Sequence, residues 1–459
     1  MMGGRVRPAI RVVVIAATAA MCWPAAADTL LGALASAYQT NPQLNAQRAI
    51  VRQTDEGVPQ ALSGYRPRVN ATAQAGNQFT WTESQGQKSR TWHQPRSIGA
   101  TAQQTLFNGF QTANRTRAAE SQVSAARETL RVIEQTVLLD AATAYMNVLR
   151  DAAILEVQRS NVRVLGETLR QTRDRFNVGE VTRTDVAQAQ AQLAAGQSQM
   201  LAAESNLVTS KAVYRRVIGA EAGRLAPGSP VDRLSPRTLA GAIAEGIAMN
   251  PSVTAAMYGV DVATLQVKIS EGALYPVVTL QGSVQRSHEL QPSIDEQFTA
   301  SIITSVTIPI YQGGGEYSTI RQSKETLGQR RLDLATTRDQ ARATVVQAWG
   351  QHEAAKAQIQ AAQEQVTASE VALNGVREEA RVGQRTTLDV LNAQQALVNA
   401  RVALVTAQRD RVVASYTLLA AVGRLAPPVL GLPISVYDPM VHYQQVRDAW
   451  EGVRTPDGR

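Results

Sequence analysis

The chain has 459 residues and a formal net charge of +8, with basic and acidic residues interspersed along it. Interspersed charges are typical of solvated helix faces, so no nucleic-acid partner is predicted. Only 5% of the residues are aromatic, which disfavours one large globular core and favours long helices packed at close range.

Residues 1–27 have the pattern of a secretory signal peptide. Three arginines precede a short apolar run over 12–22, and small residues at 25–27 form a cleavage site before Asp28. The only cysteine, Cys22, lies inside this segment, so the mature chain should have no thiol chemistry. Lipidation of Cys22 is an alternative, which Met21 before it fits poorly. No later stretch has 18 successive apolar residues, so we expect no transmembrane helix.

The mature chain contains one repeated unit. Asn41-Pro42 recurs 209 residues later as Asn250-Pro251, and Asp185 recurs 204 residues later as Asp389. The change in offset predicts five additional residues in the first copy between Pro67 and Leu106, where we expect an exposed loop. We predict a first repeat over 28–219, a linker over 220–237, a second repeat over 238–423 and a C-terminal segment over 424–459.

Each repeat has a segment that alternates between apolar and polar residues, which predicts β-hairpins at about 67–107 and 276–311. Polar stretches over 83–95 and 287–296 are predicted to be loops between the strands. Such alternation is a weak signature of transmembrane β-strands, and a soluble hairpin with one wet face is the alternative. Four strands cannot close a barrel in lipid, so a conducting pore favours three chains with twelve strands.

Long helical hairpins are predicted over 111–219 and 316–423. Runs nearly free of Pro and Gly, about 111–175 and 316–380, predict helices of roughly 100 Å at 1.5 Å per residue. The returning helices, about 184–217 and 388–421, are half as long. Shorter helices within 29–64 and 238–273 can fill the remaining length.

The same turn ends both long helices. A Val-Gly pair is followed by a Thr and, three residues after that Thr, by an Asp. The members are Val178, Gly179, Thr182 and Asp185 in the first hairpin, and Val382, Gly383, Thr386 and Asp389 in the second. Gly suits the left-handed position after a helix, and Thr with Asp suits a capping box. Capping is therefore one sufficient explanation for both acids.

No catalytic constellation is apparent in the sequence. His352-Glu353 begins like a zinc-protease helix, but the second His would fall at Lys356. Gly313 to Gly315 lacks the remaining residues of a phosphate loop. Without a nucleophile–base pair, we predict no enzyme, no cofactor and no metal site.

Together the motifs resemble the TolC family of trimeric outer-membrane channel proteins. The resemblance extends from Thr29 to Gly423. It is carried by the paired Asn-Pro segments, Tyr65-Arg66-Pro67, Phe107-Asn108-Gly109, Ile308 to Gly314, Ala142 to Leu149, Arg175 to Gly179 and Val382 to Leu391.

The resemblance implies a mainly α protein with a small β part. Four strands from each protomer of a homotrimer would form a twelve-stranded barrel in outer-membrane lipid, continued into the periplasm by the duplicated helical hairpins as an α-barrel. Such channels serve drug efflux and type I secretion as passive ducts gated at the tip. A periplasmic adaptor and an inner-membrane transporter recruit them. The segment after Gly423 is expected around the middle of the tunnel.

The resemblance also implies roles for residues at the tip. The pore constriction maps to Asp389 and to Asn392, which stands where the best-known members have an acid. The gate contacts map to Thr184, Asp185 and Arg385. The aromatic partner expected near Asp185 is replaced by Ala380, so the gate should be less tightly held than in the family pattern.

A periplasmic coiled-coil adaptor or scaffold is the alternative function. It would share the secretion signal and a helical hairpin. It would usually have a single hairpin flanked by small β-domains, without duplicated amphipathic strands.

Overall fold

The computed structural model describes residues 29–291, 294–456 and 458. The predicted signal peptide and cleavage site lie outside these residues. The described chain is mainly helical with a small β part, which confirms the predicted fold class.

The two halves contain corresponding elements in the same order. The first half consists of α1 (Leu30–Thr40), α2 (Pro42–Asp55), α3 (Gly57–Leu62), β1 (Arg68–Ala75), β2 (Gln78–Ser84), β3 (Gln87–His93), β4 (Arg96–Asn108), α4 (Gln111–Asn177) and α5 (Arg183–Ile218). The second half consists of α6 (Leu239–Met249), α7 (Pro251–Gly272), β5 (Val277–Gln291), β6 (Ile294–Thr307), α8 (Gly315–Arg381) and α9 (Thr387–Ala421). Two short helices follow, α10 (Pro427–Leu430) and α11 (Pro439–Val446).

The long helices α4 and α8 have 67 residues each, which corresponds to roughly 100 Å. Helix α5 returns along α4, α9 returns along α8 and also packs on α4, and α7 packs against both long helices. The main hydrophobic core is centred on the fully buried side chains of Tyr145, Tyr214 and Tyr416. No helix in the described part of the chain has an apolar stretch that could cross a membrane.

The sheet has the strand order β1-β4-β5-β6, and all of its neighbouring strands are antiparallel. Residues directly opposite each other share a face. On one face three successive cross-strand rows are apolar except for Arg286: Val69, Ala102, Gly282 and Ile302; then Ala71, Ala100, Val284 and Ala300; then Ala73, Ile98, Arg286 and Phe298. On the other face two successive rows are polar apart from one glycine: Asn70, Thr101, Ser283 and Ser301; then Thr72, Gly99, Gln285 and Thr299.

The predicted loops within the hairpins are wrong. Strands β2 and β3 pair from Gln78 with His93 to Ser84 with Gln87, and only Gln85 and Gly86 form the turn. Both turn residues have positive φ, which suits a two-residue hairpin connection. In the second repeat β5 and β6 likewise continue through most of 287–296. The five additional residues therefore lengthen the arms of the first hairpin instead of forming a loop.

The linker and the C-terminal segment both pack on the helices. Asp232 in the linker pairs with Arg411 and accepts a hydrogen bond from His352 Nε2 at 2.9 Å. The Tyr145 hydroxyl donates to the Ala226 carbonyl at 2.6 Å. The linker therefore connects the first repeat to α8 and α9. In the C-terminal segment, helix α11 packs on α2.

The junction between β4 and α4 depends on a glycine. Gly109 has φ +63, and an added Cβ would collide with the Gly272 carbonyl and lie 2.8 Å from Tyr275 Cβ. We expect Gly109→Ala to cost more than the roughly 1–2 kcal/mol of a left-handed backbone alone, and thus to lower the melting temperature measured by far-UV circular dichroism. Gly86→Ala is the matched control, because its φ is +84 but nothing lies within 4 Å of the added Cβ. Equal melting temperatures for the two variants would contradict this role.

Candidate functional site at the tips of the helical hairpins

The two turns at the far end of the hairpins have the same backbone geometry. Gly179 and Gly383 both have φ +81, in the left-handed region. The backbone N–H of Glu180 donates to the Arg175 carbonyl, and that of Gln384 to the Glu379 carbonyl, both at 2.9 Å. This pattern satisfies helix carbonyls that have no partner within the helix. An added Cβ at either glycine would meet open space, so φ alone requires glycine there.

Complete capping boxes start both returning helices. Asp185 Oδ2 accepts from the Thr182 backbone N–H at 2.9 Å and from the Thr182 hydroxyl at 2.7 Å. Asp389 Oδ2 makes the same contacts with Thr386, at 3.0 and 2.8 Å. Each threonine hydroxyl is also placed to accept from the backbone N–H of its aspartate. The capping explanation of these acids is therefore realised in both hairpins.

The same hydrogen bonds keep both carboxylates charged. The hydroxyl and the backbone N–H of Thr182 lower the pKa of Asp185 below its ordinary value. The backbone N–H and the hydroxyl of Thr386 do the same for the pKa of Asp389. Only one oxygen of each carboxylate is occupied by the capping threonine. Each group can therefore cap its helix and still present negative charge at neutral pH.

The two hairpins of one chain meet through α4 and α9. Arg377 donates to Gln394 Oε1 at 3.1 Å, and the Gln394 amide donates to Asn161 Oδ1 at 3.4 Å. A small apolar cluster lies beside this bridge and contains Leu165, Leu169, Ala189 and Leu391. The tip of the second hairpin is thus held against the first by this apolar cluster, by the bridge through Gln394, and by the Gln192 amide, which donates to Gln395 Oε1 at 3.3 Å.

Two of the predicted gate residues, Asp185 and Arg385, line a cleft of about 1230 Å³ between the hairpin tips, together with Ala380. Arg385 Nε donates to Glu379 Oε2 at 2.8 Å within its own hairpin. Thr184 is exposed in the first turn of α5. Among the residues that the structure describes, Asp185 and Arg385 each have a partner in their own turn and do not pair with each other. Their role as gate contacts stays a prediction.

The predicted constriction residues lie one turn apart on α9. Asp389 is half-exposed and Asn392 is exposed, so their side chains are free to face a neighbouring protomer or a pore. The turn residues Val178 and Val382 are also exposed. The role of Asp389 and Asn392 as a constriction stays a prediction.

Sequence reasoning missed the polar contacts of the side chains at the tip. Glu379 was not recognised as the partner of Arg385, although an acid six residues before an arginine across a predicted turn is a usable signal. The bridge from Arg377 through Gln394 to Asn161 joins residues 233 positions apart and has no sequence signature.

The chain is similar to known proteins over most of its length. The family model described as outer membrane efflux protein matches residues 33–220 and 242–424. The outer membrane efflux protein BepC of Brucella suis is 42% identical over 437 residues, covering 95% of this chain and 94% of BepC. The outer membrane protein TolC of Vibrio cholerae is 27% identical, covering 87% of this chain and 92% of TolC. The solved structure of the Campylobacter jejuni CmeC outer membrane channel superposes with a TM-score of 0.77 at 16% identity, covering 91% and 89% of the two chains.

These similarities decide between the two predicted functions. The matched residues include both β-hairpins and both helical hairpins, which a coiled-coil adaptor would not require. The chain is an outer-membrane exit duct of the kind used in efflux and type I secretion, with its helices extending into the periplasm. With both repeats matched by one family model, the chain belongs to the outer membrane efflux protein family.

Proposed function

We propose that three copies of this chain form one channel, with a twelve-stranded barrel in the membrane and a helical tunnel that opens at the paired hairpin tips. The sheet is the observation that carries this proposal. It has one apolar and one polar face, and within the described chain its outer strands β1 and β6 each have one unpaired edge. An unpaired edge is not tolerated in lipid, so β6 of one copy should pair with β1 of the next.

The distribution of side chains supports a water-filled barrel. The polar rows through Asn70 and Thr72 would face the lumen, and the apolar rows through Val69 and Ala71 would face lipid. Eight strands would be filled by their own side chains, so three copies, with twelve strands, suit a conducting pore. The duct itself performs no chemistry in this proposal and is passive.

The hairpin tips lie at the opposite end of α4 and α8 from the sheet. We assign them as the periplasmic entrance, gated through Thr184, Asp185 and Arg385 and narrowed at Asp389 and Asn392. The exposed apolar side chains of Phe176, Val178 and Val382 offer contact area for a periplasmic adaptor, which would recruit an inner-membrane transporter. The cargo, drug or secreted protein, is set by that transporter.

Cysteine cross-linking tests the assembly directly, because residues 28–459 contain no cysteine. One cysteine placed in β1 near Ala71 and one in β6 near Thr304, with neighbouring positions scanned for register, should give covalently linked trimers on oxidation. Each single-cysteine variant is the control and should stay unlinked. Exclusively monomeric protein at every register would overturn the proposal.

Planar-bilayer recording tests the conducting state. Purified protein should insert and give stepwise, cation-preferring conductance. A protein that forms cross-linked trimers but never conducts would contradict an open barrel, because the polar face would then not line a water-filled lumen.

A further inference from the structure

The C-terminal strap, residues 437–450, runs along the outside of the helices towards the sheet. Its first residue, Tyr437, donates its backbone N–H to the Tyr38 hydroxyl, which in turn donates to Glu134. Further on, Arg447 lies 3.9 Å from Glu120. Helix α4 begins at Gln111, directly after the sheet, so Glu120 lies nearer to the sheet than Glu134 does. At a rise of 1.5 Å per residue, the strap comes about 20 Å closer to the sheet between these two contacts.

The end of the strap is held at the base of the first strand. The Arg66 guanidinium donates to the carbonyls of Asp448 and Ala449, both at 3.4 Å. Arg66 lies two residues before β1, so these bonds place Trp450 beside the point where the chain enters the sheet. The Trp450 side chain is 72% exposed.

Other aromatic side chains are exposed at the same level. Tyr65 is 53% exposed, Phe110 64% and Tyr275 51%, and each lies at a junction between a helix and a strand. The close approach of Gly109 to Gly272 and Tyr275 shows that the junctions after β4 and before β5 are neighbours. Aromatic side chains with a polar atom are enriched where a membrane meets water, and girdles of them flank the apolar band of membrane barrels.

We propose that the C-terminal strap docks Trp450 into the headgroup region of the periplasmic leaflet of the outer membrane. The apolar sheet face begins at Val69, which is exposed and lies close to Arg66 in the chain, so Trp450 extends the surface that the proposed barrel presents to lipid. An indole has an apolar body and a polar N–H. At the headgroup boundary the apolar body can contact acyl chains while the N–H donates to a polar group. The strap then fixes the height of the helical tunnel relative to the membrane. This inference rests on the proposed barrel in lipid.

Fluorescence quenching by lipid tests the docking. In a variant with Trp81, Trp92 and Trp349 replaced by Phe, Trp450 is the only tryptophan of the mature chain. After reconstitution in phosphatidylethanolamine–phosphatidylglycerol vesicles, phospholipid brominated near the headgroup should cause a loss of Trp450 emission relative to unbrominated lipid. The control keeps Trp349 as the only tryptophan. Trp349 lies half-buried near the middle of α8, and its emission should not change.

The outcomes separate this inference from the proposed function. Conducting channels whose Trp450 emission is unquenched would overturn the docking and leave the duct intact. A blue-shifted but unquenched emission would mean that a neighbouring protomer covers Trp450, which also overturns it. Non-conducting protein would count against the duct itself. Arg66→Ala should reduce the quenching, because it removes both hydrogen bonds to the strap, and unchanged quenching would refute the positioning role of Arg66.

Discussion

Asp389→Asn should reduce the cation preference of the channel more strongly than Asp185→Asn. The two aspartates occupy the same position in equivalent capping boxes, so the local cost to the helix start is the same in both variants. Three copies of Asp389 at a constriction would form a ring of carboxylates that attracts cations into a narrow pore. Asn392, one turn further along α9, adds no charge to that ring.

The measurement is the reversal potential under a salt gradient, together with block by divalent cations. Asp389→Asn should move the reversal potential towards zero and weaken the block. The pKa of Asp389 is lowered from 3.8, so in the wild type the preference should persist as the pH falls and disappear only below that value. Wild-type reversal potentials in both variants would leave capping as the only function of Asp389.

The capping boxes could be predicted from the sequence because all of their contacts are local. The Thr–Asp spacing of three residues is itself the geometry of the contact, and glycine at 179 and 383 follows from the backbone after a helix. The length of α4 and α8 was predictable for a similar reason, since long runs without Pro or Gly have few alternatives to helix.

The ends of the β-hairpins could not be predicted in the same way. Residues 87–93 are polar except for Trp92, so they lack the apolar alternation that identifies a half-buried strand. Backbone pairing with β2 forms the strand instead.

The partner of Arg385 could not be predicted from the resemblance either. The resemblance implied a role near Asp185, whereas within the described chain Glu379 is nearer in sequence and binds the guanidinium.

Contacts between distant segments left no trace in the sequence. Asp55 and His442 are 387 positions apart and neither lies in a recognisable motif. The path of the C-terminal segment could therefore be traced only in the structure. No motif or periodicity indicated that this segment follows α2 and α4 to the base of the sheet.

The contact between Asp55 and His442 holds the middle of the strap. Asp55 is 0% exposed, and His442 Nδ1 lies 2.9 Å from its Oδ2. Arg127 lies 3.8 Å from Asp55 Oδ1 and 4.9 Å from the ring centre of Tyr443. A buried acid, a histidine and an arginine thus join α2, α4 and α11.

Burial raises the pKa of Asp55, although the hydrogen bond from His442 and the charge of Arg127 act in the opposite direction. A raised pKa in the folded state means that folding favours the protonated carboxyl. The stability that this group contributes is fully present below its ordinary pKa and is lost as the pH rises through the folded-state value. Asparagine resembles the protonated carboxyl, so Asp55→Asn should be tolerated and should remove this pH dependence.

Asp55→Ala should release the strap. It removes the hydrogen-bond partner of His442 in a buried site, and an unsatisfied buried polar group typically costs roughly 1–3 kcal/mol. We expect faster tryptic cleavage after Arg447 and a lower melting temperature, with Asp55→Asn much closer to the wild type. Glu451→Ala is the control, because Glu451 is exposed and lies outside the buried cluster. If Asp55→Ala and Glu451→Ala were cleaved at the same rate, the buried cluster would not be what holds the strap in place.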